Sequence, residues 1–157
     1  MKPTMISRVA SSHHPSDSSE QRRAEFKILK KVRKALKLQA PLTPEKMQLG
    51  GTKVQVDGVS RSKGKVKALV EVYAHQGRMK GSQPHKLMAD AIKLSALRLR
   101  ETPRPRAILA VSHEVKDQLE QSWRWEALAA HHVEVQPVNL SAADVRKLET
   151  TQGEQYR

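Results

Sequence analysis

The sequence predicts a single α/β domain with a mixed β-sheet flanked by helices, and three observations carry that prediction. Apolar residues recur at three- and four-residue spacing in two long segments, one near residues 19–38 and one over 83–100. Short runs rich in β-branched residues stand between and after them: KVQVDGV, KALVEVYAH and RAILAVS. The length, 157 residues, suits one domain able to bury a real core.

Taken in order, residues 1–19 are rich in Ser, His and Pro without periodicity and read as a disordered arm before a domain over 20–152. The first helix, from about Ser19 to Leu38, turns Ile28, Leu29, Val32, Ala35 and Leu36 inward, and Pro41 and Pro44 close it in a loop. Lys53–Val59 alternates as a strand, with Val54 and Val56 on one face and Asp57 on the other. A basic loop, GVSRSKGKV, turns the chain into Lys67–His75, so the two strands form an antiparallel hairpin. Gln83–Arg100 is helical, Arg106–Ser112 is a buried strand, and a helix with Val115, Leu119, Trp123 and Leu128 inward runs to about Ala130. Trp125 is read as a packing residue of that helix. His132–Val138 is the last strand, a short helix starts at Ser141, and residues 153–157 fray. Helices between apolar strands imply right-handed crossovers and parallel pairing in the second half of the sheet.

Charge is distributed unevenly. Residues 1–100 hold 22 basic and 7 acidic side chains, and residues 101–157 hold 7 and 9. Basic charge clustered in one part of a chain points to a polyanion, and nucleic acid leads because phosphate neutralisation releases counterions. On the first helix Lys27, Lys30, Lys31, Lys34 and Lys37 repeat opposite the core face. With Arg61, Lys63 and Lys65 in the hairpin loop they form the expected nucleic-acid-binding surface. Aromatics make up 3% of the chain, which favours backbone contact to duplex DNA over base stacking. The absence of cysteine removes disulfide, thiolate and cysteine–zinc chemistry. No apolar run reaches the roughly 20 residues of a membrane span, and a cytoplasmic protein is expected.

The residue that most needs an explanation is Glu71, a carboxylate inside ALVEVYA. If the hairpin closes, Asp57 comes next to it, and the two carboxylates can hold one hard cation, Mg²⁺ or Mn²⁺. Gln83, Lys86, Asp90 and Lys93 recur at helical spacing on the following helix and make a polar stripe that can face the pair. A lysine there can offset charge on a phosphate, and Gln83 can anchor a substrate. Solvent-facing Glu71 and an ordinary charged stripe remain the alternative.

The order of these elements, with the acid of VQVDG and that of LVEVY, resembles the PD-(D/E)XK, or restriction-endonuclease-like, superfamily over residues 20–112. The resemblance implies a restriction-endonuclease-like core, with Asp57 and Glu71 as Mg²⁺-binding acids for phosphodiester hydrolysis and Glu20 or Glu25 as a further acid. It departs at Tyr73, where the family pattern has lysine. Lys80, Lys86 or Lys93 on the next element can replace that lysine, and Lys86 is the expected one because it shares the stripe of Gln83. The expected function is therefore a Mg²⁺-dependent DNA endonuclease, with a partner protein able to supply specificity. A catalytically inactive DNA-binding module of the same fold, or a basic RNA- or ribosome-associated protein, stands as the alternative.

Overall fold

The computed structural model describes residues 15–140. Residues 1–14 of the expected arm, the helix expected from Ser141 and the fraying expected over 153–157 lie outside them. A helix α1 (Pro15–Ala35) leads into three antiparallel strands, β1 (Thr43–Leu49), β2 (Thr52–Ser62) and β3 (Lys65–Val72). Then follow α2 (Gln83–Arg100), β4 (Arg106–Val111), α3 (His113–Glu120), α4 (Trp123–Ala130) and β5 (Val133–Pro137). The five strands form one mixed sheet in the order β1-β2-β3-β4-β5, antiparallel across the first three and parallel from β3 to β5.

Both faces of this sheet are covered, so β3, its middle strand, is apolar on both sides. Val66 and Leu69 pack with Leu87, Ala91 and Leu94 of α2 and with Val115, Leu119 and Leu128 beyond it. Ala68 and Val70 pack with Ala24, Ile28, Leu29 and Val32 of α1 on the opposite face. Gly58 is where α1 comes closest to the sheet. A Cβ there would lie 2.6 Å from a Leu29 methyl and 3.1 Å from the Leu42 Cβ. Glycine is thus what lets α1 sit directly against β2 beside Asp57.

Several expectations need correction. The first helix starts at Pro15, inside the stretch expected as arm, because proline is well suited to a first helical turn. The segment after α1 is not a plain loop, because Thr43–Leu49 pairs with β2 across a two-residue Gly50-Gly51 turn. Pro44 lacks a ladder donor, and such a strand is tolerated at the sheet edge, where β1 lies. The basic loop 58–66 is mostly strand. Only Lys63 and Gly64 turn, with φ of 54° and 75°, the two positive values of a tight hairpin turn. The expected single late helix is two, broken before Ser122, whose hydroxyl accepts from Arg124 N–H and caps α4. Trp123, expected inward, is exposed as the first residue of α4, while Trp125 packs on the core. Ile92 and Leu99 on α2, apolar like the buried Leu87, Ala91 and Leu94, are exposed as well. No helix among the described residues is long and apolar enough to cross a membrane.

Candidate functional site

β2 and β3 bring the two acids together. Their ladder ends at Gly58 opposite Val70, and at the next step Asp57 reaches across to β3. Its Oδ2 accepts from the Val72 backbone N–H at 2.8 Å, taking a donor the ladder no longer serves. Asp57 is also within hydrogen-bonding reach of Glu71. Glu71 alternates with Leu69 on the α2 side of β3 and is only 5% exposed.

The partner of Glu71 comes from α2. Lys93 Nζ lies 2.7 Å from Glu71 Oε1, 2.8 Å from the Gln55 carbonyl oxygen, which accepts from it, and 3.9 Å from Asp90 Oδ1. One ammonium thus ties β2, β3 and α2 at the carboxylates. Burial, then the hydrogen bond and negative charge of Asp57, push the Glu71 carboxyl up to about 8, against the opposing pull of Lys93. Two further acids share this field. Burial raises the Glu25 pKa on α1 and Asp57 adds to it, opposed by Gln21, Arg22 and Lys86. Asp90 is raised by burial and by Asp57, against Lys93 and Lys86.

Asp57 opens into a cleft of about 540 Å³ between α1 and the start of β2, walled by Arg22, Glu25, Phe26, Leu29 and Gln55. Among the described residues, no three His, Asp or Glu side chains converge closely enough to form a metal cage. The close carboxylate pair is Asp57 with Glu71, and Glu25 is coupled to it through charge.

Of the four residues expected to act, Asp57 and Glu71 are brought together. Lys86 is an exposed residue whose charge reaches Glu25 and Asp90, and Lys93 takes the place beside Glu71 that Lys86 was expected to hold. Gln83 is committed elsewhere: its Oε1 accepts from Lys80 N–H at 2.8 Å in the turn before α2. Lys93 belonged to the same sequence stripe, but only the crossing of α2 over β3 selects it. Tyr73, at the position of the family lysine, packs against the core beneath α2.

The expected binding lysines divide. Lys27, Lys30, Lys31 and Lys34 are exposed on α1, with Lys31 Nζ donating to the Asn139 carbonyl at 2.6 Å. Lys37 is exposed past the helix end, in a turn with φ of 54°, and so does not continue the stripe. Arg61 is not at a free loop tip: it forms an ion pair with Glu45 across β1 and β2 at 2.9 Å. Lys63 and Lys65 are exposed at the hairpin turn. They lie at the end of β3 away from Glu71, roughly 20 Å distant at 3.3 Å per residue. Lys80, one of the three candidates for the relocated lysine, is exposed in the connection from β3 to α2, and so is Arg78, which was not singled out from the sequence although its place directly after the Glu71 strand is the signal that marks it.

Fold and site together define an α/β domain with two neighbouring carboxylates, Glu71 ion-paired to Lys93 and Asp57 at the edge of a cleft beside α1. The chain matches no family model and no curated protein. Among solved structures it is similar to Can2 from Sulfobacillus thermosulfidooxidans, determined in complex with cyclic tetra-adenylate, with TM-score 0.40 and 10% sequence identity. That likeness covers 87% of this chain, which spans about a third of the other, 35%.

Proposed function

We propose that this domain is a nuclease-like protein of restriction-endonuclease type, which binds DNA and hydrolyses phosphodiester bonds with Mg²⁺ or Mn²⁺ at Asp57 and Glu71. The observation that carries the reading is the meeting of a buried Glu71, an adjacent Asp57 and Lys93 at one point where β2, β3 and α2 converge. A buried carboxylate with a second acid beside it is unfavourable without a cation. A hard divalent ion suits oxygen donors, and Mg²⁺ commonly uses only one or two carboxylates, completing its shell with water and substrate phosphate. The donor set therefore fits the ion, although the described residues form no three-residue cage.

In this reading Asp57 and Glu71 hold the ion, and Glu25 on α1 lines the cleft into which Asp57 opens. When bound, the metal supplies Lewis-acid stabilisation of the phosphoryl oxygens and a more acidic water. Lys93 lies beside Glu71 and is placed to offset charge developing on the phosphate. The order α1, three-strand meander, α2, β4 also agrees with the core that the sequence resembles. Asp57→Ala and Glu71→Ala should each lower Mg²⁺-dependent cutting of plasmid at least about 100-fold while leaving binding nearly intact. Wild-type activity in either variant removes that residue from the site.

A second reading, a non-cutting DNA-binding module, is favoured by one observation: Glu71 is already ion-paired to Lys93 and Asp57 already accepts from the Val72 N–H, so each carboxylate has a partner within the protein. It predicts retarded DNA in a gel, no metal-dependent cleavage and no effect of Glu71→Ala on either.

A further inference from the structure

Phe26 is the only phenylalanine of the chain, and it is 56% exposed. Aromatics are too few here to suggest base stacking by number alone. Position matters more, because this one ring stands in the wall of the cleft that Asp57 opens into. Leu29 and Pro44 supply further apolar wall, while Gln55 and Glu25 offer hydrogen-bonding groups. Arg22, Phe26, Lys30 and Lys34 follow one another at four-residue spacing, which places them in one row along α1. Lys30 Nζ sits 4.6 Å from the Phe26 ring centroid. A row of cation, ring, cation, cation running out of a carboxylate cleft matches a strand that places a base on the ring and phosphates on the flanking charges.

We infer that the cleft walled by Phe26, Leu29 and Gln55 is a subsite for an unpaired nucleobase, so that the substrate carries single-stranded nucleotides at the site. This rests on the nucleic-acid reading above and narrows its substrate class: a fully paired duplex keeps its bases stacked and cannot offer one to the ring without unpairing. Charge complementarity selects the occupant, since cations line the path along α1 and a polyanion is what an excess of 22 basic over 7 acidic residues in positions 1–100 attracts.

The test uses the full chain in EDTA, so that binding is read apart from cleavage, with three DNA probes: a duplex, a single strand, and a duplex with a single-stranded overhang. A single-stranded RNA of the same sequence distinguishes the sugar. Wild-type protein should bind the single strand and the overhang more tightly than the duplex. Phe26→Ala should weaken those two roughly tenfold or more, the size of one base stacked on one aromatic side chain, and leave the duplex unchanged. Phe26→Trp should retain the preference. A 2-aminopurine in the overhang should change its fluorescence on binding in wild type and not in Phe26→Ala. Equal binding of all probes, or a Phe26→Ala variant indistinguishable from wild type, overturns the inference. A parallel Mg²⁺ incubation separates the two readings. Metal-dependent cutting of the single strand and the overhang that Phe26→Ala leaves intact retains the hydrolase and discards the subsite. A Phe26-dependent strand preference without any cutting retains the subsite and discards the hydrolase.

Discussion

Glu71 has a proton affinity far from that of a free glutamate, and the consequences can be measured. Its carboxyl is raised from 4.5 to about 8 in the folded protein, by burial first and by Asp57 second. The native state therefore holds one more proton than the unfolded chain between those values, and stability falls as pH rises from about 4.5 to about 8, then levels off. Glu71→Gln should flatten that slope in urea titrations at pH 5, 7 and 9, and an unchanged slope assigns the titration to another group. Mg²⁺ must displace the same proton, so its affinity should increase with pH up to about 8 in wild type. Asp57→Asn, which removes the negative neighbour, should shift that rise to lower pH. Lys93→Met should raise the Glu71 pKa further, because it deletes the one cation that lowers it by direct contact. If Lys93 acts on the phosphate, this variant should also lose cutting by about 100-fold or more, whereas Lys86→Ala should have a much smaller effect.

At the scale of elements, the approach of α1 to the sheet decides whether the cleft exists. Gly58→Val places a branched side chain against Leu29 and Leu42, and should destabilise the fold by about 1–3 kcal/mol, read as a lower urea midpoint. A wild-type midpoint would mean that α1 adjusts freely. The binding surface divides in the same way. Replacing Lys30 and Lys34 by serine should reduce the salt slope of DNA binding by about one for each phosphate that a lysine had neutralised. The matching change at Lys63 and Lys65, roughly 20 Å from the carboxylates, should leave cutting position and rate at the wild-type level. Much of this arrangement was legible in the sequence. The bounds of α2, the antiparallel hairpin, the parallel second half and the pairing of Asp57 with Glu71 all followed from periodicity and turn chemistry. β1 was missed because Pro44 and the polar run around it mask a strand. The Gly-Gly step between MQL and TKVQV was the signal that could have found it. The choice of Lys93 over Lys86 was not legible, since both lie on the polar stripe and only the crossing angle of α2 on β3 decides which reaches Glu71.

For the molecule as a whole, the mixed sheet explains where the site sits. β3 is the strand at which pairing changes from antiparallel to parallel, and Glu71 lies near its carboxyl end, where open α/β sheets present their ligand-binding residues. The basic excess of residues 1–100 is carried by the elements around that point, α1, the three-strand meander and α2, while the last described elements, β4 to β5, complete the sheet and its core. The central claim is that this convergence hydrolyses phosphodiester bonds. It is tested most directly by incubating the full chain and its Glu71→Ala variant with plasmid, linear duplex and overhang DNA, in Mg²⁺ or Mn²⁺ and in EDTA. Metal-dependent products from the wild type that are absent from the variant and from EDTA are the predicted result. DNA retarded in a gel yet intact with every metal and both proteins would contradict the claim.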